Sequence, residues 1–364
     1  MTSLRVGYDV RMLAVGTPQT GVSRYGAELL RALSRYVDVH AFTDSRHEVP
    51  PIEGIRLHVL PSAPYWQQTM LPIALSRSRV DLYHSLAFTL PYTTSVPSVV
   101  TVHDLAYILQ PWTMEPRVRT YLRRMVRRAV QKADRVIVDT EEVRGDVHRV
   151  YKVAIQRIAV VHLGVSAAFL GLADSATSDA ALRGPYWLAV GTQEPRKNLV
   201  RVVQAFKDLV DTYDEYRDHR LVLIGNSGTD SDRIAAEIRE SGVEPRVEVR
   251  GFTSDVELVR YYRNAEALVY PSISEGFGLP VIEAMALGCP VVTSRTLGLF
   301  EVAGDAAVYV DPNDVRSIAA GMRQAGMERV GRGKAGTRRA ELYSWTRAAE
   351  ATVAVYEKVL SERG

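Results

Sequence analysis

The stretch "SEGFGLPVIEAMALGCPVV" (residues 274–292) holds a Gly-rich turn, a short helical segment and an apolar run in immediate succession. Pro280 suits the first turn of a helix, where its missing N–H costs nothing, and Gly288 suits the position just past the helix end. The apolar run after Gly288 predicts a strand that is buried on both faces. A short helix that leads directly into such a strand is typical of a parallel α/β sheet.

The same alternation extends along the chain on both sides of this stretch. Short apolar runs predict strands, and amphipathic segments between them predict helices. In the first half, strands are predicted at residues 4–10, 38–43, 55–60, 81–86, 98–104 and 134–140, with a helix at 22–35. In the second half, strands are predicted at 186–192, 220–226, 247–252, 267–272, 290–294 and 306–312, with helices near 199–210, 231–241, 255–264 and 280–287.

This pattern predicts an α/β fold of two Rossmann-like, doubly wound parallel-sheet domains that face each other across a cleft. We expect the N-terminal domain to span residues 1–165 and the C-terminal domain residues 185–344, with the small, polar segment 166–184 as a linker. An apolar stripe predicts a last helix at 345–360. The sequence leaves open whether residues 345–364 pack back on the first domain or on the second.

The composition agrees with two globular domains. The chain has 364 residues, 46% of them hydrophobic and 24% charged, and it is longer than single cores usually grow. Residues 1–165 carry 21 Lys and Arg against 14 Asp and Glu, and the rest carry 24 against 28, so different partners are expected. The single cysteine, Cys289, excludes an intrachain disulfide and indicates a reducing compartment. Because the sequence shows neither a transmembrane stretch nor a signal peptide, we expect a cytoplasmic protein.

The quoted stretch also suits a phosphorylated sugar ligand. The turn at residues 276–279 lies at a helix N-terminus, where backbone N–H groups and the positive end of the helix dipole can bind a phosphate. Glu275 before the turn and Glu283 in the first helical turn can each accept hydrogen bonds from vicinal hydroxyls. The alternative is that Glu283 complements the helix dipole and Glu275 is solvated.

A second stretch, "LAVGTQEPRKNLVRVVQAF" (residues 188–206), places basic side chains directly after a strand. Arg196 offers a planar fork and Lys197 a point charge, and both suit a diphosphate at the end of the sheet. Either residue alone would be interpreted as a solvated cation. The predicted anion-binding turn in the same domain favours the diphosphate interpretation.

Together these stretches resemble the retaining nucleotide-sugar glycosyltransferases of GT-B architecture, and in particular glycosyltransferase family four. The matching segments are "GTQEPRKN" and "SEGFGLPVIEAMALGCPVV", and the segments "TGVSRYGAELLRAL" (20–33), "HDL" (103–105) and "YYRNAEALVYPS" (261–272) follow the family order. The resemblance implies a donor-binding C-terminal domain and an acceptor-binding N-terminal domain. It implies retention of anomeric configuration without a metal or other cofactor.

The resemblance also implies a role for individual residues of the C-terminal domain. Arg196 and Lys197 would bind the donor diphosphate and stabilise the departing nucleotide. Glu275 would contact the donor sugar, and Glu283 would hold the ribose. The remaining donor-binding residues would be Gly276, Phe277, Gly278 and Leu279 at sugar and phosphate, and Gly251 and Phe252 at the nucleobase.

In the N-terminal domain the resemblance implies three site residues. Gly21, in the first β-α loop, would approach the diphosphate. His103 would sit beside the donor sugar, and Asp104 would help to bind an acceptor hydroxyl. A histidine at the end of a buried strand is otherwise more often a structural residue.

Several alternatives stay open at this point. Asp230-Ser231-Asp232 has the spacing of a metal-binding pair, but its place before a helix favours capping by at least one of the carboxylates. The same architecture would serve a nucleotide-sugar hydrolase or epimerase. A nicotinamide-dependent oxidoreductase is disfavoured because no G-x-G-x-x-G lies between a strand and a helix. A nucleic-acid partner is disfavoured because the second half is net negative.

The donor and the membrane relation are the least determined by sequence. "GTQEPRKNL" is most similar to enzymes that use GDP-mannose, and the acceptor would be a glycan or lipid-linked sugar. Residues 117–135 predict a basic amphipathic helix that suits peripheral contact with an anionic membrane at its inner face. A cationic surface helix whose apolar stripe covers the sheet is the simpler alternative.

Overall fold

The computed structural model describes residues 4–17, 20–175 and 184–363. The chain divides into two compact units, and each is described by itself. Unit 1 comprises residues 1–164 and 344–364, and unit 2 comprises residues 165–343. Both units contain a parallel sheet, and helices lie between most of the successive strands.

Unit 1 contains a seven-stranded parallel sheet in the order β3-β2-β1-β4-β5-β6-β7. Its elements are β1 (Arg5–Asp9), α1 (Gly21–Leu33), β2 (Asp38–Asp44), β3 (Ile55–Leu60), α2 (Trp66–Arg77), β4 (Leu82–Ser85), β5 (Ser98–Val102), α3 (Ala106–Leu109), α4 (Pro116–Lys132), β6 (Arg135–Val138), α5 (Glu141–Tyr151) and β7 (Ile158–Val160). The six strands predicted from apolar runs are confirmed. Strand β7 was not predicted, because it has only three residues and two of them are half-buried.

Unit 2 contains a six-stranded parallel sheet in the order β10-β9-β8-β11-β12-β13. Its elements are α6 (Ala167–Ser175), β8 (Tyr186–Val190), α7 (Leu199–Thr212), β9 (Arg220–Ile224), α8 (Ser231–Glu240), β10 (Val247–Arg250), α9 (Asp255–Asn264), β11 (Leu268–Tyr270), α10 (Leu279–Ala286), β12 (Val291–Ser294), α11 (Leu297–Ala303), β13 (Val308–Val310), α12 (Val315–Met327) and α13 (Arg329–Ala340). All six strands predicted for the second half are present. The predicted helix at 280–287 is confirmed within one residue, with Pro280 in its first turn and Gly288 just past its end.

The predicted linker at 166–184 is wrong over its first part, because Ala167–Ser175 form α6. The hydroxyl of Ser166 accepts a hydrogen bond from the N–H of Phe169 near the start of this helix. The Phe169 ring is buried against the Tyr262 ring of α9. This apolar contact orders a segment whose small residues suggested a loop. Residues 176–183 of the predicted linker lie outside the described residues.

The final helix, α14 (Trp345–Ser361), belongs to unit 1 and packs against α1. Its Tyr356 is buried, and the Tyr356 hydroxyl lies 3.0 Å from the Tyr8 hydroxyl and 2.6 Å from Nδ1 of His84. These polar contacts and the apolar stripe decide the choice of domain that the sequence left open.

Each sheet has one point at which the strand order reverses. In unit 1 the reversal lies between β1 and β4, and in unit 2 it lies between β8 and β11. Connections leave such a pair of strands towards opposite sides, so a crevice opens beyond the carboxyl ends of the strands. The loops after β8 and β11 carry the basic and acidic residues singled out from the sequence.

Candidate active site

The reversal point of unit 2 brings together three of the predicted site residues. Arg196 and Lys197 follow β8, and Glu275 follows β11. Glu275 lies between the two cations, with its Oε1 2.6 Å from Lys197 Nζ and its Oε2 2.9 Å from Arg196 Nη1. Glu275 is 79 positions from Arg196 and 78 from Lys197 in the sequence. The three side chains meet because β8 and β11 are neighbours in the sheet.

Each charged group of this cluster shifts the pKa of its neighbours. Burial by itself would raise the pKa of Glu275, but the positive charges of Arg196 and Lys197 outweigh it and lower the pKa to about 2. Burial and the neighbouring guanidinium lower the pKa of Lys197, and Glu275 opposes that shift. Glu275 is therefore a carboxylate throughout the physiological pH range.

Two residues of this cluster were missed by the sequence analysis. The Tyr270 hydroxyl accepts a hydrogen bond from Lys197, and the ammonium lies 4.8 Å from the centre of the Tyr270 ring. Glu194 Oε2 accepts a hydrogen bond of 2.8 Å from Arg196 Nε. The signal for Tyr270 was its position at the end of a predicted buried strand, where a hydroxyl needs a polar partner.

The Gly-rich turn leads into α10 as predicted. Gly278 is the N-cap residue, and its φ of +85° belongs to the left-handed region that favours glycine. A Cβ at this position would lie 2.7 Å from Cδ2 of Leu299. Phe277 is buried, with its ring 5.7 Å from the ring of Tyr343 in a T-shaped contact. With Gly276 and Leu279 also buried, this segment offers a ligand its backbone rather than its side chains.

Glu283 is not in the first turn of α10, where it was predicted. It is the fifth residue of the helix, it is buried, and its Oε2 accepts a hydrogen bond of 3.1 Å from the hydroxyl of Tyr262. The helix begins at Leu279, one residue earlier than expected, which moves Glu283 into the second turn. The carboxylate is therefore held by α9 as well as by its own helix.

Other predicted residues of unit 2 lie at the edge of its sheet. Gly251 and Phe252 follow β10, which is the edge strand, and Phe252 is 67% exposed. Asp230 stands at the N-cap position of α8, but its carboxylate accepts from Arg233 Nη1 at 2.9 Å and makes no capping bond. Within the described residues, no group of three or more His, Cys, Asp or Glu side chains is arranged to hold a metal ion.

The predicted residues of unit 1 follow two different strands. Gly21 is the first residue of α1 rather than a loop residue, because Thr20 and Ser23 form a capping box that starts the helix there. His103 and Asp104 follow β5. The Asp104 carboxylate accepts a hydrogen bond of 3.0 Å from the N–H of Ala106 and so helps to turn the chain into α3.

His103 has a buried carboxylate partner that the sequence analysis missed. Its Nδ1 lies 2.8 Å from Oδ2 of Asp139, which follows β6, and its Nε2 lies 3.0 Å from the carbonyl oxygen of Leu86. Strands β5 and β6 are adjacent in the sheet, so their carboxyl ends place His103 and Asp139 side by side. A carboxylate near the end of the next predicted strand, 134–140, was the signal that could have found Asp139.

Two doubly wound parallel-sheet units, the second with a guanidinium, an ammonium and a carboxylate at its reversal point, define the GT-B class of glycosyltransferases. Residues 174–332 match the family model described as Glycosyl transferases group 1, and residues 19–169 match the model described as Glycosyltransferase Family 4. The chain belongs to glycosyltransferase family four. It is a glycosyltransferase, which uses a nucleotide-sugar donor and a glycan acceptor.

Two relatives agree with this assignment, and a solved structure agrees with the fold. The chain is 28% identical to O-antigen chain mannosyltransferase B of Escherichia coli, over 93% of this chain and 96% of that protein. It is 26% identical to O-antigen chain mannosyltransferase RfbU of Salmonella typhimurium, over 85% and 88%. Its fold is similar to sucrose-phosphate synthase from Thermosynechococcus elongatus, with a TM-score of 0.78 and 20% identity over 99% of this chain and 100% of that one.

Proposed function

We propose that this glycosyltransferase moves mannose from GDP-mannose to a hydroxyl of a glycan or lipid-linked acceptor, with retention of anomeric configuration. The observation that carries the transfer is the cluster of Arg196, Lys197 and Glu275 at the reversal point of unit 2. The mannosyltransferase names of two relatives that match most of the chain support the choice of sugar.

In this proposal Lys197 and Arg196 bind the donor diphosphate. An ammonium has three N–H donors, and among the described residues Tyr270 and Glu275 accept two of them. The third is available for a phosphate oxygen. Arg196 directs one nitrogen to Glu194 and another to Glu275, and Glu194 is partly exposed, so a diphosphate can replace it as the partner of the guanidinium.

The same cations supply the electrostatic part of the reaction. When the bond between sugar and phosphate breaks, negative charge develops on the leaving phosphate, and Arg196, Lys197 and the N-terminus of α10 stabilise it. We infer that no metal or other cofactor is required, because these groups supply positive charge at the diphosphate. Retention follows from attack on the face that the phosphate leaves, with a phosphate oxygen taking the acceptor proton.

The remaining predicted residues complete the donor and acceptor sites. Glu275 accepts hydrogen bonds from hydroxyls of the transferred sugar through the lone pairs that its two cations leave unused. Glu283 binds the ribose, and Gly251 and Phe252 contact the base. In unit 1, Gly21 approaches the diphosphate, and His103 and Asp104 act on the transferred sugar and the acceptor hydroxyl.

We also propose peripheral membrane contact through α4 for a lipid-linked acceptor. Arg123, Arg124 and Arg127 of this helix, together with Lys152, which follows α5, line a surface cavity of about 550 Å³. Val118 and Tyr121 of the same helix are exposed, and so is Trp112, which precedes the helix. A helix with both arginines and exposed apolar or aromatic side chains suits the surface of an anionic bilayer. In the described residues, no helix is both long and apolar enough to cross a membrane.

Isothermal titration with EDTA present tests the donor and the independence of metal. The purified chain is titrated with GDP-mannose, UDP-glucose, UDP-N-acetylglucosamine and the free nucleotides GDP and UDP. We expect GDP-mannose and GDP to bind and the uridine compounds to bind at least tenfold more weakly. Selective binding of a uridine compound would contradict the donor, and binding that requires Mg²⁺ would contradict the account without metal.

Turnover distinguishes a transferase from a hydrolase or epimerase of the same architecture. We expect GDP to be released from GDP-mannose rapidly only when an acceptor glycan is present. Release at the same rate without acceptor, or conversion of the sugar into its epimer, would contradict transfer as the function. For the membrane, sedimentation with vesicles of phosphatidylglycerol and of phosphatidylcholine should show binding to the anionic vesicles alone.

A further inference from the structure

Both ring nitrogens of His103 are hydrogen-bonded inside unit 1. The Leu86 carbonyl oxygen can only accept a hydrogen bond, so Nε2 of His103 carries a proton. One more proton must lie between Nδ1 and Asp139 Oδ2, because a bare nitrogen 2.8 Å from a bare carboxylate oxygen would be repelled. The pair therefore binds two protons, with the ring as an imidazolium beside a carboxylate or as a neutral ring beside a carboxylic acid.

The pair is buried beside aromatic rings, and this burial favours retention of both protons. His103 is 7% exposed, and its ring meets the rings of Tyr25 and Phe88 edge-on, with centroids 4.6 and 5.7 Å away. Within the part of the chain that the structure describes, Oδ1 of Asp139 is buried and has no hydrogen-bond partner. Loss of a proton would leave a net negative charge in this enclosed place, where it is poorly solvated.

The charged and titratable groups around His103 and Asp139 also favour a protonated His103. The groups that face it are Tyr25 from α1, His84 from β4, Asp104 beside His103 and His162 after β7. Burial opposes charge on His103, but Asp139, the Leu86 carbonyl and Asp104 outweigh it and raise the pKa of His103 above its ordinary value. Burial, aided by the charge on His103, lowers the pKa of His84 to about 3, so His84 adds no charge of its own.

We propose that Asp139 is a positioning residue that holds the His103 ring doubly protonated and fixed at the carboxyl edge of the unit 1 sheet. His103 then takes part in transfer as a positive charge and does not remove a proton from the acceptor. This inference rests on the proposed function only for the statement that His103 acts in transfer. The protonation of the pair is a separate property that can be measured without any substrate.

The proposal fixes the sign of a pH dependence. The charged ring is present below the raised pKa of His103 and is lost as the pH rises through it. A histidine that served as a general base would behave in the opposite way, since it would gain activity as it lost its proton. The activity that depends on His103 should therefore decline on the alkaline side and not on the acid side.

The Asp139→Asn substitution tests the role of the carboxylate in activity. An amide keeps the shape and can donate a hydrogen bond to a neutral ring, so the charged ring loses its stabilisation. We expect the ratio of variant to wild-type kcat/KM, taken at the same pH, to be near one at acid pH. The ratio should fall by about tenfold for each pH unit between the pKa of His103 in the variant and its higher pKa in the wild type, and should be constant above the wild-type pKa.

Asp81→Asn is the matched control for this measurement. Asp81 precedes β4 at the amino edge of the same sheet and pairs with Arg5, so the substitution removes the same charge away from the site. Its ratio to wild type should not change with pH. A ratio for Asp139→Asn that is lowered equally at every pH would overturn the proposal, because damage to packing alone would act in that way.

The wild-type protein provides a test that does not depend on the variant folding. We would follow the imidazole resonances of histidine labelled with ¹³C and ¹⁵N, with His103 assigned by comparison with His103→Gln. Titration of His103 above the ordinary histidine value of about 6.5 supports the pair, and titration below it overturns the proposal. This readout also separates two failures. A raised titration together with a fully active His103→Gln enzyme would contradict only the role of His103 in transfer.

Discussion

Glu275 in unit 2 and Asp139 in unit 1 are two buried carboxylates in similar places with opposite titration behaviour. Each follows a parallel strand, and their side chains are only 7% and 3% exposed. Burial raises both pKa values, but for Glu275 two cations outweigh burial and lower the pKa to about 2. For Asp139, burial and the nearby Asp104 carboxylate outweigh His103 and His162, and the pKa stays raised. The charges of the neighbouring groups therefore decide the direction of the pKa shift.

The difference divides the electrostatic tasks between the two units. The partners of Glu275 are a guanidinium and an ammonium, so the charges of that cluster persist throughout the physiological pH range. The partner of Asp139 is an imidazole, whose charge depends on pH near neutrality. We infer that binding of the donor diphosphate is insensitive to pH, whereas the step that involves His103 is sensitive.

The largest expected effect is the loss of transfer in Lys197→Ala. The substitution removes a buried ammonium that would bind the diphosphate and stabilise the leaving group. Removal of one such donor typically lowers kcat by about 10² to 10³. Initial rates with GDP-mannose and an acceptor measure it, and circular dichroism checks that the variant is folded.

Lys207→Ala is the control for that change. Lys207 lies on α7 of the same unit and pairs with Asp211 across one helical turn, partly exposed to solvent. It should keep the wild-type rate within a factor of about two, because exposed ion pairs of this type contribute little. Equal loss in both variants would show that the fixed positive charge at β8 has no special role.

Glu275→Gln should destabilise unit 2, because it leaves two cations beside a neutral amide. Removal of one partner from a buried ion pair costs about 3 kcal/mol in the free energy of unfolding. The difference in the free energy of unfolding between variant and wild type should shrink as the pH falls from about 4.5 towards 2. The pKa of Glu275 is lowered in the folded protein, so the stabilisation that its charge provides is lost when it becomes protonated. Urea unfolding at several pH values measures both effects.

Glu248→Gln sharpens the comparison because Glu248 also lies between two cations. Arg220 and Arg250 pair with it, but its side chain is 29% exposed. Water screens such charges, so the free energy of unfolding should fall by less than about 1 kcal/mol. If the two glutamine variants were equally destabilised, burial would not be the property that distinguishes the Glu275 cluster.

Gly278→Ala tests the turn that joins Glu275 to α10. The alanine would need the left-handed conformation at φ +85° and would place Cβ 2.7 Å from Leu299 Cδ2. We expect a loss of about 1–3 kcal/mol in stability, together with weaker donor binding as the turn shifts. In Gly251→Ala the added Cβ meets open space, so its stability should change by less than about 0.5 kcal/mol.

The sequence was sufficient to predict the strands and helices, but it was insufficient to predict which strands are neighbours in a sheet. Apolar runs located every strand except β7. Pro280 and Gly288 located the helix after the glycine turn. They could not show that β8 lies beside β11, because 77 residues separate the ends of these strands, at Val190 and Leu268, and order along the chain does not set order in a sheet. The resemblance assigned Lys197 and Glu275 to one donor site, but their direct contact was predicted neither by the resemblance nor by periodicity.

Asp139 shows the opposite case. It follows the strand next in sequence to that of His103, and these two strands are also neighbours in the sheet. Its pairing with His103 could have been predicted from that placement alone. Burial of Glu283 could not, because it depends on a one-residue shift in the start of α10 and on Tyr262 from another helix.

The smallest expected effect is that of Phe252→Ala on nucleotide binding. The ring is 67% exposed after edge strand β10, so little packing is lost and the melting temperature should not change. If the ring stacks on the nucleobase, the substitution should weaken GDP binding by about tenfold. Titration with GDP and with pyrophosphate separates contact with the base from contact with the diphosphate, because only GDP has a base. Equal weakening for both ligands would place the effect of Phe252 at the diphosphate, and no weakening would remove it from the donor site.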